Sequence, residues 1–101
     1  MGVNFRAQLA VNDGPIELNP FVEQFLAGVV IGGVSCLRGA EDVHDLELSL
    51  ERGDVGLIVN GEELPLSAFP SDIITGTIMG LVSSLKGVGK VDKVRVRISG
   101  Q

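Results

Sequence analysis

Apolar and polar positions alternate at the start of the chain. Val3, Phe5, Ala7, Leu9 and Val11 are separated by Asn4, Arg6, Gln8 and Ala10. A period of two predicts a half-buried strand. Asn12-Asp13-Gly14 follows, with residue types that tolerate the positive φ angles of a tight hairpin turn. Ile16–Leu18 reads as a short return strand. An apolar run from Phe25 to Leu37 then carries helical spacing, with Asn19 placed to cap its start and Pro20 where a first-turn proline is tolerated. Arg38-Gly39 suits the end: a cation near the negative end of the dipole, then a residue able to turn left-handed. Leu46, Leu48 and Leu50 alternate again in a last strand, and Arg52-Gly53-Asp54 reads as a turn.

The second half runs through the same elements. Residues 9–53 laid on 57–101 without a gap, an offset of 48, agree at twelve of 45 positions. Asn12/Asn60, Gly28/Gly76, Gly32/Gly80 and Gly39/Gly87 are among them. Asn60-Gly61 is the second turn, Leu64–Leu66 the return strand, Ser67 the cap, and Lys86-Gly87 the helix end. Val94, Val96 and Ile98 repeat the last strand. Pro70 stands where the first copy has Val22, so the second helix is expected to begin nearer Ser71.

These patterns predict one α+β domain over residues 1–101, a tandem duplication of a ββαβ unit. Repeat one spans about 3–53 and repeat two about 54–101. One mixed or antiparallel sheet carries both helices on one face, related by a pseudo-two-fold axis. The expected layout is ferredoxin-like or related.

At 100° per residue, Leu26, Val30, Gly33 and Leu37 share the side expected to face the sheet, with Ile74, Ile78, Leu81 and Leu85 as copies. Opposite lie Gly28, Gly32, Ser35 and Cys36, matched by Gly76, Gly80, Ser83 and Ser84. Small residues four apart admit a second backbone. Their simplest use is contact between the two helices of one chain. The flanks stay apolar, through Ile31 and Met79 among others. Helices apolar nearly all round need more cover than a two-layer domain provides. A homo-oligomer is expected, a dimer first, joined through the helices or the far face of the sheet.

Charge is segregated. Residues 1–85 hold twelve acids and three arginines, a balance of −9; residues 86–101 hold five bases and Asp92, a balance of +4. The non-core face of one strand reads Asp45, Glu47, Ser49, Glu51. Its copy reads Lys93, Arg95, Arg97, Ser99. These strands either neighbour each other and pair charges, or lie at opposite edges, as a ferredoxin-like order places them, and block sheet extension.

Composition narrows the function. There are four Phe, no Tyr and no Trp, which counts against the stacking platforms of single-strand binders. His44 lies among Glu41, Asp42, Asp45 and Glu47, yet only Asp42 can join it on one strand face, and two ligands do not close a metal site. Cys36 stands alone, which rules out an internal disulfide and fits a reducing cytoplasm. Gly87-Val88-Gly89-Lys90 lacks the spacing of a phosphate loop. The start of the chain shows no apolar leader. The two apolar runs are 13 residues each, against about 20 for a membrane span. No catalytic residue, metal or cofactor is called for. The expected role is a non-catalytic, oligomeric interaction or assembly module. The alternative is an anionic-ligand binder or enzyme with its site at the repeat or oligomer seam, anchored by Arg38 and Lys86. A weaker alternative is phosphate or nucleic-acid contact through Lys93, Arg95 and Arg97.

Overall fold

Alternation along the chain becomes burial in the fold. The computed structural model describes residues 5–37, 42–52, 54–66, 68–85 and 89–100. The elements are β1 (Phe5–Val11), β2 (Gly14–Ile16), α1 (Pro20–Val34), β3 (Asp45–Glu51), β4 (Asp54–Val59), β5 (Glu62–Glu63), α2 (Ala68–Ser83) and β6 (Lys93–Gly100). Six strands form one sheet in the order β2-β1-β6-β3-β4-β5. Every neighbouring pair is antiparallel. Leu9, Leu48, Leu57, Val96 and Ile98 share one core with Leu26, Val30 and Val34 of α1 and with Ile78 and Val82 of α2. Both helices therefore cover the same face of the sheet. Each fully buried aliphatic side chain there contributes about 1.5–3 kcal/mol.

The strands that follow the helices, β3 and β6, lie in the middle. β1 and β3 run parallel with β6 between them; β4 and β6 run parallel with β3 between them. The edge placement that a ferredoxin-like order gives β3 and β6 is not adopted. Leu9 faces Val96, Leu57 faces Leu48, and Leu48 faces Val96.

Turn chemistry follows the residue types. Asn12 and Asp13 sit at φ 51° and 68°, Asn60 and Gly61 at 52° and 84°. Positive φ at both central residues matches the right-handed twist of a two-residue hairpin. The return strands are shorter than expected and closer to the turns. They are Gly14–Ile16 and Glu62–Glu63, not Ile16–Leu18 and Leu64–Leu66.

Asn19 caps α1, its Oδ1 accepting from the Val22 amide at 2.8 Å. The corresponding Ser67 lies outside the described residues. Helix α2 starts at Ala68, not near Ser71. Pro70 fits there because first-turn amides have no intrahelical partner to lose. Both helices end sooner than expected, at Val34 and Ser83, and tighten into i to i+3 bonds: Leu37 to Val34 at 2.9 Å and Leu85 to Val82 at 3.1 Å. Gly39 and Gly87, read as helix stops, lie outside the described residues.

The sheet-facing side of the helices also shifts. Leu26, Ala27, Val30 and Val34 are buried in α1, while Gly33 is exposed and Leu37 half-buried. In α2, among the described residues, Ile78 and Val82 are buried, with Ile74, Leu81 and Leu85 half-buried. In α1 a glycine has no side chain to bury, and the neighbouring Val34 turns inward; in α2 Val82 is buried while Leu81 is half-buried.

Among the described residues, no helix is long and apolar enough to cross a membrane.

Candidate functional site

The helices do not close over the centre of the sheet. Between them runs a groove of about 320 Å³ with Leu48 at its floor. Val29, Val30, Gly33 and Val34 form the α1 wall, Ile73, Ile74, Thr77 and Ile78 the α2 wall, and Cys36 and Leu37 lie at one end. Among the described residues, no charged side chain lines it. Polar decoration of the helix layer is equally sparse: no Asp, Glu, Lys or Arg occurs between Gln24 and Leu37 or between Ile73 and Leu85.

Large apolar side chains stand out from the same layer. Phe21 is 74% exposed, Phe25 50% and Ile73 51%. The two phenyl rings stack with centroids 5.9 Å apart. Aromatic pairs at this distance prefer offset packing, and a pair left in water holds unsatisfied apolar area. This pair was not picked out from the sequence, although its spacing of four on one helix face was the available signal.

The small-residue stripe does not join the two helices of one chain. A Cβ built on Gly28, Gly32, Gly76 or Gly80 meets nothing within 4 Å. Cys36 and Ser84 are exposed as well, and Ile31 and Met79 are half-buried beside the core. The stripe faces outward because Val30, Val34, Ile78 and Val82 turn the opposite sides onto the sheet. Cys36 Sγ and Ser84 Oγ are oriented by bonds to the Gly32 and Gly80 carbonyls, 3.5 Å and 3.0 Å.

The other face of the sheet is mostly polar, with Ile58 exposed on β4, and its charges are divided by sign. Its central rows place Glu47 opposite Arg97, Ser49 opposite Arg95, and Glu51 opposite Lys93. β3 and β6 are therefore neighbours, which decides between the two sequence-based readings. Register does not make every facing pair an ion pair. Arg97 reaches Asp45 at 3.8 Å, and Lys93 reaches Asp13 of the first turn at 3.1 Å. Arg95 has no carboxylate within 4 Å among the described residues. β1 adds Arg6 on the basic side, and β4 adds Asp54 on the acidic side.

Two asparagines carry more than turn geometry. Asn12 Oδ1 accepts from the amides of Asp92 and Lys93 at 2.8 and 2.9 Å, and its Nδ2 donates to Lys90 C=O at 2.7 Å. Asn60 Oδ1 accepts from the amides of His44 and Asp45 at 2.8 and 3.0 Å, and its Nδ2 donates to Asp42 C=O at 3.0 Å. Each fastens the loop that enters a central strand. His44 is thus held by its backbone, with its side chain exposed. Among the described residues no three His, Cys, Asp or Glu side chains gather around one point.

The open end of β1 is covered from the helix. Glu23 Oε2 accepts from the Ala7 amide at 2.9 Å and pairs with Arg6 at 3.4 Å, while Gln24 Nε2 donates to Phe5 C=O at 3.1 Å. Side chains here substitute for a neighbouring strand, which blunts an edge otherwise open to pairing.

Arg38 and Lys86, the proposed anion anchors, lie outside the described residues. No protein-family model, curated protein or solved structure matches the chain.

Proposed function

We propose that this protein is a non-catalytic self-association module whose helix layers cover each other in a dimer. The observation that carries the reading is the helix layer, free of charge from Phe25 to Leu37 and from Ile73 to Leu85, with its apolar groove and outward aromatic pair. Knobs and holes are both present. Phe21, Phe25 and Ile73 project, while Gly28, Gly32, Gly76 and Gly80 leave room for a partner's backbone or side chain. A two-fold dimer sets the knobs of each copy into the holes of the other, because an isologous interface is self-complementary. Area is sufficient. The Cα trace spans 34 × 34 × 19 Å, so a face of 34 by 34 Å offers roughly 1,200 Å², against about 800 Å² per partner in a standard interface.

We also read the chain as a doubled ββαβ unit with a pseudo-two-fold axis between β3 and β6. Registers and side-chain bonds support this. The pairing Leu9 with Val96 becomes Leu57 with Leu48 at the offset of 48, and Leu48 faces its own counterpart, Val96. The bonds of Asn12 recur at Asn60 donor for donor and acceptor for acceptor.

Sedimentation of the purified chain tests the functional reading. A dimer that persists in about 1 M salt, where charge pairing is screened within roughly 3 Å, is expected at micromolar concentration, and Gly32→Arg with Gly80→Arg is expected to give a folded monomer at that salt. A wild-type chain that stays monomeric overturns it.

A second reading has one observation in its favour: the groove lies within the size range of small-molecule pockets, about 300–1,000 Å³. Its lining suits an apolar ligand rather than an anionic one. A fluorescent apolar probe displaced by self-association separates the two.

A further inference from the structure

The far side of the sheet is organised as a charge pattern with one remaining gap. Across β1 and β6 the charged outward side chains are Arg6, Arg95, Arg97 and Lys93; across β3 and β4 they are Asp45, Glu47, Glu51 and Asp54, with Ile58 the exposed apolar side chain beside Glu47. Three of the four bases already have partners in the chain: Arg6 with Glu23, Lys93 with Asp13, and Arg97 with Asp45. Arg95 has none, and neither Glu47 nor Glu51 has a base within 4 Å among the described residues. The row through Arg95 is otherwise made of small residues, Ala10, Ser49 and Gly56. It forms a low strip between two rows that each set one acid beside one base, Glu47 with Arg97 and Glu51 with Lys93.

We infer that this sheet face is a second self-association surface, separate from the helix layer, in which Arg95 of each copy lies between Glu47 and Glu51 of the other. Symmetry and charge choose the orientation. Two sheets meeting about a two-fold axis parallel to their strands exchange left and right while keeping each row in place. The basic half of one copy then covers the acidic half of the other, and Arg95 falls over Ser49, with Glu47 and Glu51 in the adjoining rows. An axis perpendicular to the strands sets like charges together, which costs binding. Ser49 and Gly56 give the guanidinium room. Copies that use both faces build assemblies larger than a dimer, since the two surfaces lie on opposite sides of the slab.

The experiment is sedimentation of Arg95→Glu, Glu47→Arg and their equal mixture, each variant first shown by circular dichroism to melt as a folded protein. Each variant alone brings like charges together at both contacts of the dimer and is expected to lose this association. In the mixed dimer one contact is wild type and the other is restored with signs exchanged, so association is expected to return. Arg95→Lys keeps the charge and is expected to retain it. Association through this face must weaken between about 0.01 M and 1 M salt, as screening shortens from roughly 30 Å to 3 Å. Association through the apolar helix layer must persist. That contrast separates failure of this inference from failure of the helix-layer dimer. Single variants that associate like wild type, or a mixture that stays dissociated, overturn the inference. So does a result in which Arg95→Glu loses only the binding of a short oligodeoxynucleotide, since the basic half then serves an anionic partner.

Discussion

Asn12 and Lys93, 81 positions apart in sequence, are bonded to each other twice: the Asn12 amide donates to the Lys93 carbonyl at 2.8 Å, and the Lys93 amide donates to Asn12 Oδ1 at 2.9 Å. Asn60 and Asp45 are bonded in the same two ways, at 2.7 and 3.0 Å. A turn residue of each hairpin thus fixes where a distant central strand begins. This makes the asparagines structural fasteners between the halves, and their energetic weight can be measured.

Asn12→Ala and Asn60→Ala are each expected to destabilise the fold by about 1–3 kcal/mol, the cost of leaving loop amides without acceptors. Alanine also meets steric resistance at φ near 51°, where glycine does not. Asn12→Gly and Asn60→Gly therefore isolate the bonding contribution. Urea unfolding gives both values. Two near-zero costs for the glycine variants show that water replaces the side chains without loss.

Gly28→Ala and Gly76→Ala are expected to act in opposite directions on folding and assembly. Their added methyls meet nothing within 4 Å, and glycine inside a helix costs about 0.5–1 kcal/mol relative to alanine. Thermal melts of the dilute monomer should rise. Self-association, followed by sedimentation at higher concentration, should weaken where close backbone approach is used. Alanine variants that melt lower identify a contact at the stripe that the fold does not contain.

Glu23→Ala should cost more than Arg6→Ala. The Arg6 side chain is 71% exposed in its pair with Glu23, and such surface pairs contribute about 0–1 kcal/mol. Glu23 additionally accepts the Ala7 amide, so its loss uncovers the β1 edge as well. Urea unfolding ranks the two, and light scattering on standing tests for edge-driven aggregation in Glu23→Ala. Equal costs assign the whole effect to the ion pair.

Gly100→Ala is expected to destabilise by about 1–3 kcal/mol, the usual range for overpacking. A Cβ there falls 3.0 Å from the His44 carbonyl oxygen and 3.1 Å from the Phe5 ring. The Gly100 amide also donates to that carbonyl at 2.6 Å, so the backbones have little freedom to part. Gly33→Ala, whose methyl points into open space, is the control and should not destabilise. Calorimetry distinguishes them, and a Gly100→Ala protein as stable as wild type shows that the β6 terminus yields freely.

Local sequence set the two helices, the longer strands, the faces of those strands and the chemistry of the turns. Each depends on neighbours a few residues away: alternation at Leu46, Leu48 and Leu50, the cap at Asn19, positive φ at Asn12 and Asn60. Long-range packing placed β3 and β6 side by side at the centre, because period-two patterning states which face of a strand is buried and not which strand stands beside it. It also decided that the glycine stripes face outward and leave a groove over Leu48, since two apolar sides of one helix compete for the sheet and the branched side chains win. The role of Asn12 toward Lys93 was hidden for the same reason: a turn can be read locally, while a bond across 81 positions exists only once the sheet has assembled.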